Sequence, residues 1–250
     1  LGLKLIDRTT RHVELTAVGR EFLPQARSIV NEMTSAIGHL KDMSEHAKGS
    51  FSLACIPSLT VSMVPQLIRQ YANLYPDNRI RILDATSSEV RKAVLNHQAE
   101  IGIALHGEKH LDLIEEPLFD DPLVFICQDT HPLQNKKSVT WSDMRNADLI
   151  AVSSFTSTRV LMDYQLAQHG IELNGSYEVQ HHATAINLVA AGVGCAILPS
   201  STLNDGERPH IRKITLKDPL VKRKVTLLRH KNTSLSPAAQ AFFKLIQKSI

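Results

Sequence analysis

Cysteine and tryptophan are scarce in this chain, and long apolar runs are missing. The 250 residues hold three cysteines and one tryptophan, and aromatic side chains make up 5% of the total. Cys55, Cys127 and Cys195 lie too far apart to form a CxxC pair or a metal-ligand set. Each sits inside an apolar run, as expected of a reduced core thiol in a cytoplasmic protein. No stretch approaches the roughly 18–20 apolar residues that cross a bilayer; the densest, Leu188 to Pro199, is broken by glycines and ends at proline. A membrane-spanning protein is excluded on that ground.

Signatures of chemistry are also missing. The chain has no GxSxG elbow, no GxxxxGK[ST] phosphate loop and no HExxH pair. Gly192-Val193-Gly194 resembles the opening of a dinucleotide loop, but Ile197 stands where the third glycine or alanine belongs. The segment also leaves a helix and enters a strand, the reverse of the required order, so it reads as a tight turn. His106 with His110, and the pair His181-His182, have no carboxylate or cysteine spaced to complete a metal set. Neither an enzyme nor a bound metal or cofactor is expected.

What is present is ordinary for globular protein: 43% hydrophobic and 21% charged residues, enough for one large domain or two small ones. The net charge of +3 hides an uneven distribution. Residues 208–250 hold eleven lysines and arginines against one acid, whereas 49–207 hold ten against eighteen. The basic end is a solvated face or a nucleic-acid contact, and few aromatics interleave with it. The chain opens on Leu1-Gly2-Leu3-Lys4 and enters patterned sequence at once, which reads as the downstream part of something longer.

From Phe22 the apolar residues Ala26, Ile29, Met33, Ala36, Leu40, Met43 and Ala47 follow at alternating spacings of four and three. A strict heptad keeps one narrow stripe on one side of a helix, and such a stripe packs on a second copy or on the chain's own domain. Thr16 is the expected N-cap, and Lys48-Gly49-Ser50 the stop.

Strand and helix patterns alternate from there. Phe51–Ile56, Arg79–Asp84 and Glu100–Leu105 read as strands, with helices over Val61–Leu74 and Ser87–Asn96. Leu111–Glu115 and Leu123–Cys127 read as two further strands. A second round follows: strands at Leu149–Val152, Tyr177–Gln180 and Gly194–Leu198, with helices at Thr158–His169 and Thr184–Ala191. Such an order predicts an α/β fold of two Rossmann-like lobes with parallel sheets. Strands at Ile211–Leu216 and Val225–Arg229 and a helix capped by Ser236 and Pro237 close the chain. The last strand and helix are expected to return to the first lobe.

Two such lobes leave a cleft at the carboxyl ends of their strands, where open α/β sheets bind small ligands. The loops entering it carry hydroxyls and imidazoles: Ser58, Leu59 and Thr60; His106; Thr156 and Ser157; His182 and Thr184. Several precede helices, whose free N–H groups suit a carboxylate or other anion. Each Ser or Thr also has the simpler role of N-cap. No inward arginine pair is evident, and Arg159 is a single candidate.

The segment Leu1-Gly2-Leu3-Lys4-Leu5-Ile6-Asp7-Arg8-Thr9-Thr10-Arg11-His12-Val13-Glu14-Leu15-Thr16-Ala17-Val18-Gly19 resembles the wing of a LysR-type transcriptional regulator, whose pattern is LGxxLFxRxxRxxxLTxAG. Ile6 and Val18 are mild departures. The likeness continues through Phe51 to Pro76, Glu100-Ile101-Gly102-Ile103-Ala104, Thr130-His131-Pro132-Leu133 and Gly192 to Pro199.

The resemblance implies a wing remnant of a winged helix-turn-helix over 1–18 and a dimerising linker helix over 19–48. It implies a two-lobed effector-binding domain similar to type 2 periplasmic binding proteins, with one lobe at 49–128 and 222–250 and the other at 129–221. Arg8 and Arg11 would then meet DNA phosphates or a minor groove. The recognition helix would precede Leu1. The implied partners are promoter DNA, a small effector and further copies of the chain, as homodimer or homotetramer. The alternative is a solute-binding protein of a transport system, whose fold matches residues 50–250 but leaves the wing and the heptad helix unexplained.

Overall fold

The computed structural model describes residues 2–8, 13–45, 49–144, 147–153, 156–168, 170, 175–204, 206 and 208–249, with the side chains of 35–36 and 38–45 outside that description. The chain divides into two compact units, Leu1–Lys48 and Gly49–Ile250.

In the first unit, strands β1 (Ile6–Arg8) and β2 (Val13–Leu15) pair antiparallel, with Ile6 opposite Leu15. Helix α1 (Ala17–Glu45) follows. Thr16 caps it as expected: its hydroxyl accepts the Gly19 N–H at 3.0 Å and donates to the Lys4 carbonyl at 2.8 Å. The Thr16 N–H reaches the Leu5 carbonyl at 3.0 Å, so strand and helix start are tied at one residue. A Cβ on Gly19 would run into that Leu5 carbonyl oxygen, which explains glycine there. On the helix, Phe22, Ile29 and Met33 of the heptad stripe are exposed. Ala36, Leu40, Met43 and Ala47 have side chains outside the description.

The second unit opens with β3 (Ser50–Cys55), α2 (Pro57–Ser62), α3 (Val64–Leu74), β4 (Arg79–Asp84), α4 (Ser87–Leu95) and β5 (Ile101–Leu105). The continuous helix expected over Val61–Leu74 is two helices. Pro65 lacks an N–H and belongs in a first turn, so α3 restarts after Met63. Strand β3 lies between β4 and β5, parallel to both. These strands and their helices enclose one core in which Phe51, Tyr71 and Phe242 stack at ring separations of 5.2–5.8 Å.

The largest departure from the sequence pattern is β6 (Leu113–Gln128), a single sixteen-residue strand where two short ones were expected. Pro117 and Pro122 interrupt its propensity. In its first half β6 pairs with β12 (Lys222–His230) alone, so that half is a sheet edge, where proline's missing N–H breaks no ladder. The second half, from Leu123, pairs with β10 (Cys195–Pro199) and β11 (Ile211–Lys217) and packs in the second lobe. That lobe adds β7 (Ser138–Thr140), β8 (Leu149–Val152), α5 (Ser157–Gln168), β9 (Tyr177–Val179) and α6 (His182–Ala190), with β8 parallel to β9 and β10.

The short β7 and the turn Trp141–Met144 went unforeseen; Trp141 is fully buried and its Nε1 donates to the Pro219 carbonyl at 2.8 Å. Gly192, at φ +77°, closes α6 and turns the chain into β10, as the sequence suggested. Strand β12 returns antiparallel to β5, and α7 (Pro237–Lys248) returns to the first core, where the Tyr71 hydroxyl donates to the Ala238 carbonyl at 2.9 Å. The first lobe is therefore discontinuous, and β6 and β12 are the two strands that cross between lobes. All three cysteines are free and buried; burial raises Cys55 and Cys195 to about 12 and Cys127 to about 11, so they stay as inert thiols.

Candidate effector site between the lobes

A cavity of about 270 Å³ lies between the lobes. The first lobe contributes Ile56, Pro57 and Ser58 from the end of β3 and the start of α2, Thr86 and Ser87 from the start of α4, and Leu105 from the end of β5. The second contributes Ser153, Thr156, Ser157 and Thr158 around the start of α5, with Gln180, His181 and His182 at the start of α6. Arg223, from crossing strand β12, completes the wall. Four helices thus begin at one cavity, because β3, β4, β5, β8 and β9 deliver their carboxyl ends there.

Arg223 is 1% exposed and Asp121, opposite it on β6, is 2% exposed. Arg223 Nε donates to Asp121 Oδ2 at 2.8 Å, Nη1 to the Thr158 hydroxyl at 3.1 Å and Nη2 to the Ser201 hydroxyl at 3.1 Å. Ser201 returns its N–H to Asp121 Oδ1 at 3.0 Å and its hydroxyl to Oδ2 at 2.6 Å. The network joins both crossing strands to the start of α5. Arg223 was missed in the sequence because Lys222-Arg223-Lys224 reads as a solvated charge run; a period of two with Val225 and Leu227 was the available signal that it faces inward.

His182 opens α6 without a side-chain cap, and its ring is pushed down to about 4 by burial, with the nearby Arg223 charge adding to the effect. It is a neutral imidazole at physiological pH. Ser58 is 5% exposed, and its hydroxyl has no partner among the described residues. Thr156 behaves as the simpler reading has it: its hydroxyl accepts the Arg159 N–H at 3.2 Å and donates to the Ser153 carbonyl at 3.0 Å, capping α5. Ser157 lines the same wall with an uncommitted hydroxyl.

The remaining expected residues fall elsewhere. Leu59 is fully buried in the first core and presents nothing to the cavity. Thr60 and Thr184 line an adjoining cavity of about 400 Å³, which shares Ser58, His181 and His182 with the central one. His106 faces another groove beside Leu105, and its Nδ1 lies 3.0 Å from Glu115 Oε1. Burial raises the Glu115 carboxyl, but bonds from Arg91 at 2.7 Å and Thr226 at 2.9 Å more than offset this and hold it below the usual range. Arg159 pairs with Asp163 at 2.7 Å and borders a small neighbouring pocket that shares Thr156, Thr158 and His182 with the central cavity. In the first unit Arg8 is exposed at the end of β1, while Arg11 lies outside the described residues. Among the described residues no group of three His, Cys, Asp or Glu is placed to hold a metal, and no helix is long and apolar enough to cross a membrane.

Residues 44–250 match the family model of the LysR substrate binding domain. The chain is a LysR-type regulator. Among its relatives, the uncharacterized HTH-type transcriptional regulator YbhD of Escherichia coli K12 is 33% identical over 98% of this chain and 78% of its own length. The transcriptional dual regulator GltC of Bacillus subtilis is 25% identical over 98% of this chain and 82% of its own. Among solved structures, the effector-binding domain of QuiR in complex with shikimate superposes with a TM-score of 0.67 at 21% identity, over 81% of this chain and 97% of that one. Full-length CbnR complexed with its target DNA gives 0.70 at 20% identity, over 99% and 84%. This LysR-type regulator is therefore a transcriptional regulator with an effector-binding domain, not an enzyme. The alternative of a transport-associated solute-binding protein falls away with that membership.

Proposed function

We propose that the effector-binding domain takes a small anionic effector in the cavity between its lobes, and that occupancy changes how the assembled regulator grips promoter DNA in the cytoplasm. One observation carries this reading: the cavity is walled by the N-termini of α5 and α6 on one side and by Ser58 on the other, so a ligand there touches both lobes at once. A ligand that prefers the closed arrangement shifts the equilibrium by its difference in affinity for the two states. Ser58, Ser157 and His182 are the contacts offered first, with Thr60 and Thr184 in the adjoining space. His106 serves a neighbouring groove.

The wing residues Arg8 and Arg11 are read as phosphate or minor-groove contacts. The exposed Phe22, Ile29 and Met33 on α1 support self-association, as homodimer or homotetramer. The limits 1–18, 19–48, 49–128 with 222–250, and 129–221 remain the working division, with β6 common to both lobes. The test is a thermal-shift screen of small organic acids against this chain and its Ser58→Phe variant, which fills the cavity. A compound that stabilises the parent and not the variant supports the site. Equal stabilisation of both removes it.

A further inference from the structure

The lining of the central cavity carries almost no net side-chain charge. Arg223 is the one Lys, Arg, Asp or Glu among its described lining residues, and Asp121 already matches that charge at 2.8 Å. The positive potential that remains belongs to backbone. At α4 it is answered from within: the Glu89 carboxylate takes the Thr86 N–H at 2.9 Å and hydroxyl at 2.7 Å in a capping box. Helix α2 has six residues and adds little. Helices α5 and α6, of twelve and nine residues, remain. Each N-terminus is equivalent to roughly half an elementary charge, so together they answer about one negative charge.

The uncommitted side chains that line the cavity from both lobes are neutral. The Ser58 and Ser157 hydroxyls, the Gln180 amide and the His182 ring have no hydrogen-bond partner among the described residues. Ser58 is nine-tenths buried, so its hydroxyl opens to the cavity rather than to bulk water. Groups that both donate and accept match ligand hydroxyls, and a ligand lacking them leaves buried polar groups unpaired.

We propose that this regulator's effector is a hydroxylated monocarboxylate, its single charge at the starts of α5 and α6 and its hydroxyls on Ser58, Ser157, Gln180 and His182. Phosphomonoesters and dicarboxylates are excluded by charge. The proposal rests on the cavity being the effector site. A phosphomonoester carries about −1.5 to −2 at neutral pH, and its second charge would find no cation on the central lining beyond the matched Arg223; the adjoining cavity holds one charge of each sign, Arg208 and Asp84, and Arg159 is paired with Asp163 at 2.7 Å.

The experiment is calorimetric titration of the chain with shikimate, quinate, gluconate and glycerate, with cyclohexanecarboxylate as the unhydroxylated monoanion, and with succinate and 2-phosphoglycolate as dianions. At least one hydroxylated monocarboxylate binds, cyclohexanecarboxylate is about tenfold weaker or worse, and the dianions give no heat. Ser58→Ala and Ser157→Ala each weaken the binder roughly threefold to tenfold, the range for one neutral hydrogen bond. If a dianion binds tightest and still weakens in Ser58→Ala, the ligand class is overturned and the cavity stands. If binding ignores both substitutions, class and cavity fall together. Silence from every probe overturns the class, while the organic-acid screen still decides the cavity.

Discussion

Arg223 and Asp121 stand opposite each other on β12 and β6, Nη2 and Oδ2 2.8 Å apart, where both strands pass from one lobe to the other. Both charges are out of water, and each is satisfied in part by Ser201. Removing one leaves the other buried and unpaired.

Arg223→Met is therefore expected to destabilise the chain by about 3–5 kcal/mol, and Asp121→Leu by a similar amount. The double variant should lose less than the sum of the two, because no lone charge remains. Denaturant titration of the four proteins measures the coupling; strict additivity would refute it.

The His182 ring gives a pH signature. Above pH about 6.5 it is neutral whether the chain is folded or not, and contributes nothing to pH dependence. Between 6.5 and about 4 the unfolded chain takes the proton first, so stability falls as pH falls, by about 3 kcal/mol at the lower end. Melting temperatures from pH 7 to 4.5 should drop less steeply for His182→Gln than for the parent. Parallel curves would show that the ring is not held neutral by the fold.

Leu59 and Ser58 are neighbours with opposite roles. Leu59→Ala empties part of the first core and should cost about 2–5 kcal/mol. Ser58→Ala should leave stability nearly unchanged and weaken effector binding. Chemical denaturation and titration of both variants separate the two effects; equal stability losses would place Ser58 in a structural role.

The α1 stripe predicts assembly. Met33 is 65% exposed and Ile29 62% in the single chain, an arrangement that a partner surface would cover. Ile29→Glu with Met33→Glu should bring like charges together in a seam and lower the sedimenting mass. An unchanged mass would place the contact elsewhere.

Much of this was legible before the structure. Alternating strand and helix patterns specify two α/β lobes, because period-two and period-3.6 apolar spacing can be satisfied only by those elements. The loops at the carboxyl ends of strands followed from the same pattern, and with them Ser58, Thr156, Ser157 and His182. The Thr16 cap and the Gly192 turn are local, set by one hydroxyl and one positive φ, so sequence alone sufficed. Tertiary structure decided the rest. Pro117 and Pro122 break a strand only where both edges are paired, and which half of β6 has one neighbour is a property of the assembled sheet. Leu59 and Ser58 are adjacent in sequence, yet helix rotation sends one into the core and leaves the other on the cavity. Arg223 reads as a surface charge until β6 brings Asp121 beside it, because a buried cation is tolerable only with its partner, and the partner lies 102 residues away.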